Sequence, residues 1–390
     1  MTSVLLVPDL PLERWPSMDR YATRLGAHLR RTANDLEIEI AGPIGGLTVS
    51  DGSEAQGARV SGPRGAPFPA PAVGEMGRYF RRYVTYPRRV RRKRGQVLHV
   101  LDHSYAHILL HDGGRPRVVT VHDLLPVMTV ARPARGFRER LRRGLLARVL
   151  EGLRRADAWI VATDWLRCEL GEWLGRDEGI HAIPYGVDDG FFDEPPDDPE
   201  ELRRRLGIPA AAFVVLHVGS VGPRKNLPGV IAAVHGLREA GADAWILQVG
   251  GSLTDEQKAD ISRRGLTESV ASLPRATERD LRLAYHAADV LLFPSHYEGF
   301  GFPVVEAMAS GLPVITSGAG GLAEAAGEAA IVVGGREAEP YVAALRRVAE
   351  NPEVRRDLIE KGREHAKRFR WDETARKTAE VYRSLAGTTG

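Results

Sequence analysis

The sequence carries a single cysteine, Cys168, in 390 residues. No disulfide can form within the chain, and a reducing cytoplasm is the expected setting. Long hydrophobic runs are also missing: none approaches the roughly 18 residues that span a bilayer. The opening MTSVLLVPDL has no basic stretch, and its short apolar run ends at Asp9, so it reads as a buried strand and not as a signal peptide. Acidic residues are absent from GRYFRRYVTYPRRVRRKRG (77–95), which holds nine basic ones, and RPARGFRERLRRGLLARVLEGLRR (132–155) is nearly as basic. Residues 1–185 hold 29 Lys and Arg against 20 Asp and Glu, and the remainder 25 against 31, an asymmetry that the net charge of +3 conceals. Such runs attract anionic headgroups, nucleic acid or phosphorylated ligands. They equally describe a solvated arginine face in a chain that prefers Arg to Lys.

What is present is an ordinary globular composition and a length that calls for two domains. Short apolar runs alternate with helical patterns. In the first half the expected strands are SVLLV (3–7), LEIEI (36–40), QVLHVL (96–101), RVVTV (117–121), AWIVAT (158–163) and HAIPY (181–185). In the second they are FVVLHVG (213–219), AWILQVG (244–250), SVASLP (269–274), DVLLFPS (289–295), PVITS (313–317) and AAIVV (329–333). Near-continuous apolar strands between helices imply parallel sheets covered on both faces, the doubly wound α/β pattern, here twice. The acidic, proline-rich GVDDGFFDEPPDDPEE (186–201) reads as a linker, and the Gly- and Pro-rich stretch 52–75 as a long surface loop. The expected division is 1–186, 187–368 and a closing amphipathic segment 369–390. Two such domains facing each other would form a cleft, with ligands outside the carboxyl ends of the strands.

The residues just after the strands are therefore the candidates. After 289–295 comes SHYEGFGFPVVEAMASGLPVI. Gly299 and Gly301 allow close approach of backbone to a ligand. Pro303 suits a helix start, and Gly311 and Pro313 end that helix. Amide groups at Phe300, Gly301 and Phe302 would suit a diphosphate. Glu306, one turn in, leans back towards the same end and could accept hydrogen bonds from ribose, while Glu298 on the loop could face a sugar. Two acids compensating a helix dipole is the simpler alternative. After 213–219 comes SVGPRKNLPG, where Arg224 and Lys225 could meet a pyrophosphate or could be an ordinary surface pair. After 117–121 comes HDLLP, where His122 could bond a sugar hydroxyl or be structural, with Asp123 holding its ring or capping the next turn.

Taken together, these motifs resemble the retaining GT-B glycosyltransferases of family 4, the group 1 transferases. The family's E-x7-E corresponds to Glu298 and Glu306, its basic pair to Arg224 and Lys225 after Gly219, and its first-domain histidine to His122. PYGVD (184–188) resembles the family's N-G-V-D, with Tyr185 in place of asparagine, and GLAEAAGEAAIVV resembles G-x-x-E-x-x-G-x-A, with Glu324 in position. FRWDETARKTAEVYRSL resembles the final helix that crosses back onto the first domain. The resemblance implies that Glu306 binds the nucleotide ribose and that Arg224 and Lys225 bind the diphosphate. It places Glu298 and the loop Phe300–Phe302 on donor sugar and phosphates, His122 near the reaction centre, and Arg275 at the nucleobase. Family members often have a Gly-Gly loop after the first strand. PDLPLERWPSMDRYA (8–22) has no glycine, so Trp15, Ser17, Met18 and Arg20 are expected to shape an acceptor pocket, with Ser17 also a candidate helix cap.

The resemblance further implies transfer of a hexosyl unit from a GDP-mannose or UDP-glucose type donor, with retention, to a lipid-linked, polysaccharide or glycoconjugate acceptor. No Asp-x-Asp pair stands where a metal would be needed, and neither a metal nor another cofactor is expected. Nucleic acid is not an expected partner, whereas the runs 77–95 and 132–155 suit peripheral contact with an anionic inner membrane face. A catalytically silent sugar- or partner-binding GT-B protein is the competing reading, with another GT-B enzyme behind it. A pyridoxal phosphorylase would need a suitably placed lysine, and none of the six matches that setting.

Overall fold

A computed structural model of the chain describes residues 1–10, 13, 15–41, 74–112, 114–125, 136–335 and 337–387. The segment 52–73, Pro126 and residues 132–135 lie outside the described residues. The polypeptide divides into two compact units. One comprises Met1–Ala162, Arg167–Tyr185 and Trp371–Gly390; the other comprises Thr163–Leu166 and Gly186–Arg370.

The first unit is built on β1 (Thr2–Val7), β2 (Leu36–Ile40), β3 (Val97–Val100), β4 (Arg117–Val121), β5 (Ala158–Val161) and β6 (Ile180–Ala182). All pairs are parallel, and the order is β2-β1-β3-β4-β5-β6. Val4–Val7, Val97–Val100 and Ala158–Val161 are wholly buried, as expected when helices cover both faces. The closing helix, Trp371–Gly387, belongs to this unit. Asp372 accepts from Arg31 at 2.6 Å and pairs with His28 at 2.7 Å, while Arg383 holds Asp35 through two 2.8 Å bonds. Beneath these ion pairs, buried Tyr382 meets His99 Nδ1 at 2.6 Å.

The second unit repeats the architecture with β7 (Phe213–Val218), β8 (Ala244–Val249), β9 (Val270–Leu273), β10 (Val290–Phe293), β11 (Val314–Thr316) and β12 (Ile331–Val332). The order β12-β11-β10-β7-β8-β9 is again all parallel. Its direction reverses between β7 and β10, and a doubly wound sheet binds ligands beyond the carboxyl ends of its strands at that point. The core joins Val215, Ile246, Val290, Leu292 and Ile315 to Val230, Ile231 and Val234 of the helix Leu227–Glu239. All twelve expected strands are present, and the α/β expectation of two doubly wound parallel sheets holds.

Three local expectations need correction. The stretch 186–201 is not a free linker. Val187 and Phe191 are buried, Val187 bridges Arg370, and Asp198 caps the helix Pro199–Arg205 through Glu200 N. Ser17 is not a helix cap either: the helix Pro16–Thr32 already starts at Pro16, whose missing N–H costs nothing there. The basic run 77–95 is not one uniformly solvated face. Its helix, Glu75–Phe80 continued by Tyr86–Arg91, opens into a π turn at Arg81–Thr85, just before Pro87. The wider turn relieves the clash of the proline ring with the preceding turn's carbonyl. It also turns Arg82 inward, onto Glu13 at 2.9 Å and the Ser104 carbonyl at 2.6 Å.

Candidate active site

In the second unit the loops after β7 and β10 meet. Gly219 ends β7 at φ +144°, and a side chain there would press on the stem of Lys225. The loop then makes one 3-10 turn, Pro223–Lys225, and stops at Asn226, the one non-glycine at positive φ (+53°) among the described residues. The Asn226 amide holds this conformation: Oδ1 accepts from Gly229 N at 3.2 Å, and Nδ2 donates to the Pro294 carbonyl at 3.2 Å. A backbone bond from His296 N to Arg224 O at 2.8 Å joins the loops again.

This geometry brings Arg224, Lys225 and Glu298 together. Arg224 Nη1 donates to Glu298 Oε2 at 2.7 Å and to the Tyr297 carbonyl at 3.0 Å, and Lys225 Nζ donates to Glu298 Oε1 at 2.7 Å. Glu298 is buried at 7% exposure, so its carboxylate is committed to two cations, a role the spacing did not indicate. The trio carries a net single positive charge. The Lys225 ammonium also lies 4.7 Å from the centre of the Phe293 ring. Burial pulls its pKa below the ordinary lysine value, and Glu298 opposes the fall.

The turn 318–321 buttresses this loop from behind. Gly321 N donates to the Glu298 carbonyl at 2.8 Å. A Cβ at Gly320 would fall 2.4 Å from that carbonyl oxygen, and one at Gly321 2.4 Å from the Gly299 oxygen. Thr163 Oγ1 donates to the Gly299 oxygen at 3.0 Å, which accounts for Thr163–Leu166 belonging to this unit. Gly301, at φ +120°, is the N-cap of the helix Phe302–Ala309, and Leu322 closes the space its side chain would need. Phe300 is buried edge-on between Phe302 and Phe369, so its ring serves packing. Glu306 is buried too, with Oε2 accepting from Tyr285 O–H at 2.8 Å. Arg275 is exposed just beyond β9, where Gly251 N donates to the Pro274 carbonyl at 3.1 Å.

In the first unit His122 ends β4. Its Nε2 lies 2.8 Å from the Leu101 carbonyl and its Nδ1 2.7 Å from Tyr185 Oη. A carbonyl only accepts, so Nε2 carries the proton and Nδ1 accepts from the tyrosine. Burial lowers the ring's pKa and keeps it neutral near pH 7. Both nitrogens are thus engaged within the unit. His103 Nδ1 accepts from His122 N at 3.3 Å and lies 3.6 Å from buried Asp102. Burial alone would raise the Asp102 carboxyl, but the His103 and His122 rings and the Ser104 amide hold it below its usual range.

Among the described residues, no group of three or more His, Cys, Asp or Glu side chains is placed to hold a metal ion, and no helix is long and apolar enough to cross a membrane.

Residues 198–365 match the family model described as glycosyl transferases group 1, and residues 18–191 match that of glycosyltransferase family 4. The chain belongs to glycosyltransferase family 4. Among its relatives, the D-inositol 3-phosphate glycosyltransferase of Salinispora arenicola is 31% identical over 300 residues, which are 71% of this chain and 65% of that protein. The protein of the same name from Actinosynnema mirum is 32% identical over 240 residues, 58% of this chain and 57% of its own length. The family 4 chain thus spans somewhat over half the length of these curated relatives. Its fold is that of the GT-B transferases. Sucrose-phosphate synthase from Thermosynechococcus elongatus superposes with a TM-score of 0.73 at 22% identity, covering 100% of both chains. Anabaena HepE in complex with UDP and glucose gives 0.72 at 18% identity, over 98% of this chain and 100% of that one. WaaG, a glycosyltransferase involved in lipopolysaccharide biosynthesis, gives 0.70 at 19% identity, over 97% and 99%.

One departure from the family 4 pattern, Tyr185, and one match to it, Glu324, acquire a physical meaning. Tyr185, in place of asparagine, is the hydroxyl that orients His122. Glu324 acts locally as a helix cap, accepting from Asp164 N at 3.0 Å and Trp165 N at 3.2 Å. Sequence reasoning missed Tyr285, Asn226 and the pair His217–Gln248. Only the last left a trace, as polar residues interrupting the apolar strands FVVLHV and AWILQV.

Proposed function

We propose that the chain is a retaining glycosyltransferase that moves a hexosyl unit from a nucleoside diphosphate sugar to an acceptor hydroxyl. The observation that carries this reading is the Arg224–Lys225–Glu298 cluster, set at the reversal point of the second sheet beside the N-terminus of the helix Phe302–Ala309. A pyrophosphate leaving from C1 gains negative charge, and preorganised cations and helix amides stabilise that charge more in the transition state than in the ground state. Arg224 and Lys225 hold the phosphates, Glu298 fixes both cations, Glu306 receives ribose hydroxyls once Tyr285 yields, and Arg275 stands by the base. No carboxylate nucleophile is called for. The acceptor oxygen attacks C1 on the face from which the phosphate departs, and its proton passes to the leaving phosphate oxygen. His122, its ring fixed by Leu101 and Tyr185, is the first-unit residue that the family resemblance assigns to the donor sugar.

HepE, solved with UDP and glucose, supports a UDP-sugar, although the same loops suit GDP-mannose. The name of the relatives supports a polyhydroxylated acceptor, and the WaaG likeness supports an acceptor in cell-surface glycan assembly. The chain then acts in the cytoplasm. Exposed Met76 and Phe80 beside Arg78 and Arg81 would place it on an anionic inner leaflet. Co-sedimentation with phosphatidylglycerol vesicles is expected to fall with salt, and equal binding to neutral phosphatidylcholine would refute this contact.

The central test is a thermal-shift panel of UDP, GDP, ADP and their sugars in EDTA, because the reading needs no divalent metal. At a hundredfold excess over Kd, the matching nucleotide contributes about 2.7 kcal/mol. That corresponds to roughly 5–10 °C in a unit of this size. A flat panel in EDTA would remove the donor site. Shifts without turnover of any nucleotide sugar would favour the silent carbohydrate-binding reading.

A further inference from the structure

Behind the Arg224–Lys225 loop lies a polar pair with no place in the chemistry above. His217 on β7 and Gln248 on β8 are direct register partners, and both are wholly buried. Gln248 Nε2 donates to the Gly219 carbonyl at 3.0 Å and to the Gly250 carbonyl at 2.8 Å. Those two acceptors fix which way the amide points, since the reverse orientation would set three oxygens against each other. Gln248 Oε1 therefore faces His217 Nδ1, 2.5 Å away. The other ring nitrogen, Nε2, lies 3.2 Å from the carbonyl of Lys225 itself. Both ring nitrogens thus face oxygens that can only accept. A neutral imidazole has one proton and satisfies one of them, whereas an imidazolium satisfies both.

We propose that His217 is a positioning residue that takes up a proton when a diphosphate occupies the Arg224–Lys225 loop, locking the Lys225 main chain through the second hydrogen bond. The inference rests on the donor-site reading above. In the empty site, burial holds the His217 ring below its ordinary pKa, so it is neutral near pH 7. The charged groups facing it are Lys225, whose ammonium opposes a second positive charge, and Glu298 from the loop after β10, which favours one. Gln248, from β8, is polar but does not titrate. Glu298 is already shared between two cations. A bound diphosphate adds negative charge next to Lys225, offsets the repulsion and lets the ring charge. The proton comes from solvent, and binding should strengthen as pH falls.

The test is calorimetric titration of the full chain with UDP-glucose and with GDP-mannose, whose phosphate diesters do not titrate near neutrality. Titrations in PIPES and in Bis-Tris at about pH 6.5 separate proton uptake from binding heat. The wild type is expected to take up a proton, and its Kd to tighten by up to about tenfold per pH unit on the acid side. His217→Gln keeps one donor and fills the space, and it should bind more weakly, take up no proton and show a flat Kd against pH. Imidazole 15N spectra of the wild type, which need no variant to fold, should show one neutral ring in the free protein that becomes charged with the sugar nucleotide bound. Binding without proton uptake, or uptake that survives in His217→Gln, overturns the proposal and leaves the donor site standing. Failure of both sugar nucleotides to bind overturns the donor site and this proposal together.

Discussion

Glu298→Ala is expected to lower kcat by about 10²–10³, the scale for losing one preorganised charge at a developing anion. The loss arises through Lys225. Its ammonium is nearly enclosed, burial already depresses its pKa, and Glu298 is the main influence holding it up. Without the carboxylate, two outcomes compete. If Lys225 stays charged, an unpaired buried cation destabilises the second unit by about 3–5 kcal/mol. If it sheds its proton, the fold is spared but the site loses a cation just where the pyrophosphate departs. Proton loss is the cheaper route for a lysine so placed, so the variant should fold, turn over slowly and recover part of its activity as pH falls and Lys225 regains its proton. Glu298→Gln keeps one acceptor oxygen for Arg224 or Lys225, turns an NH2 group towards the other and loses the charge, and it should fall between wild type and alanine. Donor kinetics over a pH series, with urea midpoints in parallel, decide the matter. Wild-type kcat with a flat pH profile would show that Glu298 only braces the loop.

That prediction depends on a pairing the sequence did not disclose. The twelve strands could be read because each is a nearly continuous apolar run, and burial on both faces leaves a parallel strand few other choices. The start of the helix Phe302–Ala309 was equally plain, since glycine and proline there act on local backbone geometry. Side-chain partners were not legible. Glu298 finds its cations across seventy-odd residues because β7 and β10 are neighbours, and that adjacency belongs to the strand order. Tyr285 reaches Glu306 from a helix whose own pattern is simply amphipathic. Arg82 sits in the most basic stretch of the chain, yet a π turn sends it inwards to Glu13. Composition described that stretch correctly as a whole and misplaced this member of it. His217 and Gln248 were visible as interruptions, but their meaning required the register that sets them side by side.

Asp9→Asn is expected to stabilise the first unit above pH 7 and to have little effect at about pH 4.5, an unusual sign for a buried-site substitution. Asp9 follows β1 and is 5% exposed, and its Oδ2 has no hydrogen-bond partner among the described residues. Burial first, then the nearby Asp102 and Asp19 carboxyls, push its pKa up to about 7. A carboxyl raised in the folded state binds its proton more tightly there than in the unfolded chain. Its favourable contribution is therefore complete below the unfolded value of about 3.9 and disappears as pH rises to 7. The full span is on the order of 4 kcal/mol. Asparagine resembles the protonated form and escapes the cost at every pH. Two histidines act in the opposite direction in the wild type: burial takes His99 down to about 3 and His107 down to about 4, so acid favours unfolding through them. Those contributions are common to both proteins and cancel in the difference, which isolates Asp9. Urea unfolding near pH 8 and about pH 4.5 should show the variant ahead at the higher pH, by an amount that shrinks towards zero at the lower. An equal effect at both values would mean that Asp9 does not titrate in this range, and a loss of stability at pH 8 would mean that its ionised carboxylate has a favourable partner in the fold.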